Sequence, residues 1–254
     1  MTRPILSLQL FSMRGLGSLD AQLSAAARAG FRSVEPLESH LRDTDELKQG
    51  LIRHGLSAPT AHVTLDTLRR EAGPILTACE VCGIGELYVP HPAPPASQET
   101  ASAWQRLGRE LGALAERFKR DHIALGYHNK MAGFTRLLGG RYGFELMFDT
   151  AKGSPLTWQA DIAWLSRAGV VPEEWLHRYA PILASAHVKD QAPEGARKDE
   201  DGWSDVGSGI LVWPLLWRAA LLNGARTLVV EHDNPRQPTE FATRSFAYLS
   251  RFMS

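Results

Sequence analysis

Three residues of types that bind divalent cations lie at the ends of consecutive candidate strands in the C-terminal half of the chain. Asp161 ends the segment "PLTWQAD", His187 lies in "ILASAHVKD", and Glu231 lies in "TLVVEHD". Carboxylate and imidazole groups together suit Mn²⁺, Mg²⁺, Co²⁺, Fe²⁺ or Zn²⁺, and the ligand types alone do not select among these ions. If the three strands are neighbours, their side chains can converge. We therefore predict a divalent metal site at Asp161, His187 and Glu231.

The other candidate strands also end in polar residues. His62 and His91 follow two strands in the first half of the chain, where each could hold a substrate hydroxyl or be a structural histidine. Lys189 follows His187 and is a candidate for binding an anionic group or an oxyanion, with a solvated loop lysine as the alternative. Glu35 ends another strand and could assist the chemistry or simply carry a strand-end charge. Polar residues thus concentrate at one end of nearly every candidate strand.

The elements that must position these residues alternate regularly. Short β-rich runs are followed by longer stretches with helical periodicity, and several of these stretches stop at a glycine before the next strand. The runs cover residues 5–11, 31–37, 56–63, 86–91, 123–129, 155–161, 182–190 and 227–233. Eight such units predict an α/β protein with one (β/α)₈ TIM barrel over residues 1–254 and a site at its C-terminal mouth.

An open doubly wound sheet is the alternative architecture. It would usually carry a glycine-rich phosphate loop after the first strand. The segment "MRGLGSL" at residues 13–19 has only two of the required glycines. We interpret it as a turn that leads into a helix, with Ser18 as the N-cap, and we prefer the barrel.

Composition narrows the class of function. The chain of 254 residues has 28 basic and 28 acidic residues, so it has no basic surplus for binding nucleic acid. Its two cysteines suggest neither a disulfide framework nor a zinc ribbon. The apolar runs are far shorter than the ~20 residues of a membrane span, and no signal peptide is recognisable. We expect a cytoplasmic protein that acts on a small molecule.

Several segments, in order, are similar to one known family. They are "LSLQLFSMRG", "AARAGFRSVEP", "LGYHNK", "DIAWLSRAGVVPEEWL", "ASAHVKD", "VGSGILVWPLLWRAALLNG" and "LVVEHD". Over nearly its whole length the chain resembles the xylose isomerase-like TIM-barrel family, which comprises sugar and sugar-phosphate isomerases and epimerases. Together these segments are fairly specific for the superfamily and poorly specific for a substrate.

The resemblance implies a metal held by a Glu on or just after strand five, an Asp on strand six, a His on strand seven and a Glu on strand eight. The last three fall on Asp161, His187 and Glu231. Strand five departs, because related sequences often have His-Asn-His, two residues and Glu-Phe where this chain has "HNKMAGF". Lys130 stands at the second His and Gly133 at the Glu. Gln159, Glu145 or water could replace the missing ligand.

The resemblance also implies a reaction and its participants. It predicts an enzyme that isomerises or epimerises a sugar or keto-sugar, phosphorylated or not, through an enediolate. Glu231 would combine metal binding with the role of base, and Lys130 would either point away from the ion or bind a negative group and act as a base. His128 and Asn129 would contact the substrate, and Trp164, near the mouth, could stack on a sugar ring. Barrels of this group often pair, so a homodimer is expected.

Two other functions remain open. The same enediolate could expel a β-hydroxyl, which would make the protein a dehydratase or lyase of a keto-sugar or inositol derivative. The strand-five departure also fits a catalytically weakened barrel that binds a sugar. An endonuclease IV-like repair enzyme is disfavoured, since it expects a His three residues after the strand-six Asp and this chain has Trp164 there. The segment at residues 191–209 is a candidate lid.

Overall fold

The computed structural model describes residues 3–90, 99–137 and 139–253. Within them, eight parallel strands form one sheet in the order β2-β1-β10-β7-β6-β5-β4-β3. Isolated parallel bridges join Ser33 to Ser57 and Leu37 to His62, which brings β2 against β3 and closes the sheet into a barrel. The predicted (β/α)₈ architecture is confirmed. The barrel strands are β1 (Ile5–Gln9), β2 (Ser33–Glu35), β3 (Thr60–His62), β4 (Glu86–Pro90), β5 (Ala124–His128), β6 (Thr157–Asp161), β7 (Leu183–Val188) and β10 (Thr227–Val230).

Helices follow the strands and cover the outside of the barrel. Ser18 caps the first helix as predicted, because its Oγ accepts a hydrogen bond from the backbone N–H of Ala21 at 3.2 Å. Gly30 ends that helix with φ +110°, and any side chain there would collide with the ring of Phe246. The helices are α1 (Leu19–Ala29), α2 (Glu38–Leu41), α3 (Thr44–His54), α4 (Leu65–Cys82), α5 (Ala101–Arg120), α6 (Gly143–Thr150), α7 (Ile162–Arg167), α8 (Pro172–Arg178), α9 (Trp213–Leu222) and α10 (Pro238–Leu249). In the described part of the chain, none is long and apolar enough to cross a membrane.

The strands bury polar residues at alternate positions. Side chains two residues apart on a strand share a face. The buried polar side chains on the inward faces of different strands form hydrogen bonds with one another across the barrel, and they are Ser7, Gln9, Ser33, Glu35, Thr60, His62, Gln159, Ser185 and His187. Residues between them, such as Leu8, Val34 and Ala160, belong to the hydrophobic cluster. The interior of this barrel is therefore a polar network that leads up to the C-terminal mouth.

A short antiparallel hairpin follows β7. It pairs β8 (Asp190–Gln191) with β9 (Trp203–Ser204). The Asp190 carboxylate accepts four backbone N–H bonds, from Gln191, Gly207, Gly209 and Leu211, at 2.9–3.2 Å. The segment predicted to be a lid is therefore tied to the end of the barrel by one buried side chain.

Candidate active site

Strands β6, β7 and β10 are neighbours, and they bring the three predicted metal ligands together. Asp161 is in register with His187, and His187 Nδ1 lies 2.9 Å from Glu231 Oε2. All three residues are buried. One possible metal-binding atom from each of these residues, and one from His128, all lie within 4.8 Å of one another. These four residues are called the donor group below. The convergence inferred from the strand ends is thus present in the structure.

His128 supplies the strand-five member of this group. Its Nε2 lies 3.8 Å from Asp161 Oδ2, near the separation of about 3.4 Å expected for two ligands of one ion at bond lengths of ~2.1 Å. From the sequence His128 was expected to bind substrate. Its place as the last residue of β5, the strand next to β6, could have identified it as a ligand, since an imidazole is an ordinary metal ligand.

The position where relatives carry a glutamate cannot accept one easily. Gly133 has φ +92°, and a Cβ there would lie 3.0 Å from the Trp104 ring. Glu145 does not replace the missing ligand, because its Oε1 lies 2.6 Å from Arg178 Nη1 and its Oε2 accepts the Tyr142 N–H at the start of α6. That alternative from the sequence analysis is wrong. Gln159, the other alternative, lies below Asp161 and is hydrogen-bonded to histidines.

Asp161 presents one oxygen to this group of donors. Its Oδ1 accepts the backbone N–H of Trp164 at 3.0 Å and so caps α7. Its Oδ2 is buried and accepts no hydrogen bond from the described residues, although Lys189 Nζ lies 3.0 Å away. Burial raises the pKa of Asp161, against the lowering effect of the nearby Lys189 ammonium. A positive charge satisfies such a buried carboxylate oxygen, and in this structure the Lys189 ammonium supplies that charge.

Asn129 forms hydrogen bonds with the backbone of Asp161 and is not among the residues that line the cavity described below. Its Oδ1 accepts the backbone N–H of Asp161 at 3.0 Å and Nε1–H of Trp158 at 2.9 Å, and its Nδ2 donates to the Asp161 carbonyl. It has no exposed surface. The structure therefore uses this predicted substrate-binding residue to hold the ends of β5 and β6 together.

Lys189 is buried among carboxylates and is not a solvated loop residue. Its Nζ lies 2.8 Å from Glu231 Oε2, 3.0 Å from Asp161 Oδ2 and 3.1 Å from both oxygens of Asp233. The face of the Trp203 ring covers it, with 4.9 Å between Nζ and the ring centroid. Burial by itself lowers the pKa of Lys189, but the three carboxylates outweigh it and raise the pKa well above its usual range.

His187 bridges two carboxylates. Nδ1 contacts Glu231 Oε2 at 2.9 Å, and Nε2 contacts Glu35 Oε1 at 2.8 Å. Burial opposes the charged ring, yet Glu231 and Glu35 together raise the pKa of His187 to about 10. Glu35 is itself wholly buried, and although burial favours its neutral form, the adjacent imidazoles of His62 and His187 lower its pKa to about 2. Glu35 thus lies beneath the donor group and orients it.

A cavity of about 350 Å³ opens above these residues. Its polar wall includes His62, His128 and Glu231, so two members of the donor group face it directly. Burial lowers the pKa of His62, which favours a neutral ring. Lys130 also lines the cavity, and its Nζ lies 5.7 Å from the Trp164 ring centroid. The opposite wall is apolar and is formed by Phe11, Leu37 and Pro90.

The predicted substrate contact Trp164 is not among the residues that line the cavity. Trp164 packs edge-on against Trp203, with ring centroids 4.9 Å apart, above the Lys189 ammonium. His91 lies outside the described residues. Sequence reasoning missed Asp233, which holds Lys189. It named Gln159 as a possible metal ligand, and the structure places this side chain against two histidines.

The donor group fits a divalent cation. Two imidazoles and two carboxylates lie within reach of one ion, and both types of group are ordinary ligands of divalent cations. His187 already donates to a carboxylate on its other side, the arrangement that orients ligating histidines in metal sites. His128, Asp161, His187 and Glu231 are therefore the residues that could hold the ion.

Several solved structures share the fold of this chain. A sugar phosphate isomerase/epimerase from Parabacteroides distasonis matches with a TM-score of 0.78 at 19% identity, covering 98% of this chain and 94% of that one. The probable 3-DHS dehydratase AsbF from Bacillus anthracis matches with a TM-score of 0.78 at 12% identity, covering 97% and 98%. The IolI protein with a binding zinc atom matches with a TM-score of 0.70 at 15% identity, covering 98% of each chain. No protein-family model and no curated protein sequence matches.

These comparisons confirm the resemblance at the level of the fold. The chain has the barrel of the xylose isomerase-like proteins, and the likeness extends over nearly all of it. Function must be argued from the site itself, since one barrel fold supports many reactions.

Proposed function

We propose that this protein is a divalent-metal-dependent enzyme that isomerises or epimerises a sugar or keto-sugar through an enediolate. The observation that carries the proposal is the position of the donor group. His128 and Glu231 belong to it and also line the 350 Å³ cavity, so a cation held there would meet a substrate directly. A cavity of this size suits a single small substrate.

A divalent cation at this site would polarise the substrate carbonyl and stabilise the negative charge of the enediolate. The chain's own residues would bind the substrate and move its protons. Glu231 is a carboxylate that lines the cavity and also belongs to the donor group, and it is the proposed base. Burial lowers the pKa of His62 and so favours its neutral form. This residue lies three strands away around the barrel and could exchange a proton from another side of the cavity.

The remaining cavity residues suggest how a substrate is oriented. Phe11, Leu37 and Pro90 offer an apolar wall to the C–H face of a sugar. Lys130 offers an ammonium group to a phosphate or carboxylate on the substrate. Lys189 is fully buried, and its three carboxylate contacts assign it to holding the charges of Asp161 and Glu231 in place and not to binding the substrate.

A dehydratase is the second candidate. The fold match to a probable dehydratase at a TM-score of 0.78 favours it, and the same enediolate can expel a hydroxyl group from the next carbon. The third alternative is a weakened sugar-binding barrel, and the position of His128 in a group that could hold a metal argues against it.

The first experiment tests the metal. The purified protein is stripped with a chelator, and binding of Mn²⁺, Mg²⁺, Co²⁺, Fe²⁺ and Zn²⁺ is measured by calorimetry and elemental analysis. Asp161→Ala, His187→Ala and Glu231→Ala should lose the ion, whereas Glu116→Ala on the exposed face of α5 should keep it. Stoichiometric metal in all three site variants would show that the assignment is wrong.

The second experiment tests the reaction. The loaded protein is incubated in D₂O with aldoses, ketoses, their phosphates and hydroxylated cyclic ketones, and NMR follows exchange of the hydrogen next to the carbonyl. Exchange reports the enediolate, and the product then separates isomerisation or epimerisation from dehydration. If the metal binds but no compound in any of these classes exchanges or reacts, the enzymatic proposal fails.

A further inference from the structure

Gln159 is a buried side chain at the centre of the polar network. It lies on β6 two residues before Asp161, on the same face of the strand, with no exposed surface. Its Oε1 lies 2.7 Å from His62 Nε2 and 2.9 Å from His128 Nδ1. Its Nε2 lies 2.8 Å from Glu35 Oε2 and 3.1 Å from Ser185 Oγ.

The partners of Gln159 determine which way its amide points. The Glu35 carboxylate can only accept hydrogen bonds, so it must face the NH₂ end of the amide. Ser185 donates its own hydroxyl proton to the Thr227 carbonyl at 2.9 Å, which leaves its oxygen free to accept the other N–H. The carbonyl oxygen of Gln159 is therefore the atom that faces the two histidines.

That orientation assigns the protons of both rings. A carbonyl oxygen only accepts, so His62 Nε2 and His128 Nδ1 must both donate and must both carry hydrogen. A neutral His128 with hydrogen on Nδ1 has its lone pair on Nε2. This nitrogen lies 3.8 Å from Asp161 Oδ2, on the side of the donor group.

We infer that Gln159 is a positioning residue that fixes the tautomer of His128, so that Nε2 of this ring is available as the strand-five metal ligand. The inference rests on the proposed metal-dependent function. One amide thereby holds two histidines in complementary tautomers, with the proton on Nε2 in His62 and on Nδ1 in His128. Partners of this kind typically alter metal affinity by about 10–100-fold when they are removed.

The test begins with the metal-free wild-type protein labelled with ¹⁵N at histidine. NMR should show His128 protonated at Nδ1 and bare at Nε2, and His62 protonated at Nε2. Hydrogen on His128 Nε2 would overturn the inference without any variant. This measurement needs no metal, so it is distinct from a failure of the proposed function, which would appear as no binding of Zn²⁺ by the wild-type protein.

Two variants then separate the amide oxygen from the rest of the network. Gln159→Met removes the acceptor and should release His128 into the other tautomer, with about 10–100-fold weaker binding of Zn²⁺ by calorimetry. Ser185→Ala removes one hydrogen bond on the opposite end of Gln159 and should leave the His128 tautomer and Zn²⁺ affinity close to wild type. An unchanged tautomer and affinity in Gln159→Met would refute the inference.

Discussion

Replacing Lys189 by Met should destabilise the metal-free protein strongly. The side chain is fully buried, and its Nζ lies within 3.1 Å of oxygens from Asp161, Glu231 and Asp233. Methionine fills a similar volume but leaves these carboxylates without their shared cation. Removing one partner of a buried ion pair typically costs about 3–5 kcal/mol, and we expect the free energy of unfolding to fall by that amount.

A divalent cation should reverse much of this loss. A cation bound by Asp161 and Glu231 neutralises two of the three stranded carboxylates, and a ligand present at 1,000 times its Kd adds about 4 kcal/mol to the stability of the folded state. The stability difference between Lys189→Met and wild type should therefore shrink when Zn²⁺ is added. Of the three carboxylates, only Asp233 would then still lack a neighbouring cation.

Urea denaturation with chelator and with saturating Zn²⁺ measures both effects. Lys119→Met, an exposed change on α5, serves as the matched control and should alter stability by no more than about 0.5 kcal/mol. If Lys189→Met is as stable as this control without metal, then the buried ammonium does not hold the carboxylates. If Zn²⁺ stabilises both proteins equally, then the ion does not bind at Asp161 and Glu231.

Further predictions concern pH, the cavity and the hairpin. The pKa of Glu35 is lowered from 4.5 to about 2, so its carboxylate stabilises the folded protein above pH 4.5 and this stabilisation is lost as the pH falls to 2. In denaturation experiments, the free energy of unfolding of Glu35→Gln should therefore depend less on pH over this range than that of the wild-type protein. The pKa of His187 is raised to about 10, so a metal that ligates this ring at neutral pH must displace a proton; calorimetry in buffers of different ionisation enthalpy should detect about one proton released per ion. Lys130→Met should raise KM for an anionic substrate, and unchanged kcat and KM would exclude Lys130 from the site. Asp190→Ala should speed hydrogen exchange of the amides of Gly207, Gly209 and Leu211, since these three N–H groups lose their acceptor; unchanged exchange would mean that Asp190 does not hold this segment.

The strand ends made the barrel and half of the site predictable. Glycines that end helices and short β-rich runs identify eight strand–helix units, and parallel strands in a barrel present their C-terminal ends at one mouth. Asp161, His187 and Glu231 could therefore be expected to meet before any coordinates were available. In the structure, β6, β7 and β10 are neighbours in the sheet, which confirms the expectation that these residues lie close together.

The partners of these residues could not be predicted in the same way. Lys189 has the sequence context of a loop lysine, and its burial depends on Asp233, which follows β10, and on Trp203 from the hairpin. Gln159 was considered only as a metal ligand, and its hydrogen bonds to two histidines could not be read from its place two residues before Asp161 on the same face of β6. Contacts of this kind join residues from four or more strands, and a local pattern cannot show which of them touch.

The absence of the strand-five glutamate that the resemblance implies changes the chemistry of the donor group, but a group of four possible ligands is still present. The resemblance implies three carboxylates and one imidazole, whereas the structure brings together the two carboxylates of Asp161 and Glu231 and the two imidazoles of His128 and His187. Carboxylates and water suit Mg²⁺ and Mn²⁺, while imidazole suits Zn²⁺, Fe²⁺ and related ions. The exchange also removes one negative charge from a site that already holds the Lys189 ammonium. Both effects should weaken the site for hard cations, so if the proposed metal site is correct we expect calorimetry to find tighter binding of Zn²⁺ or Fe²⁺ than of Mg²⁺.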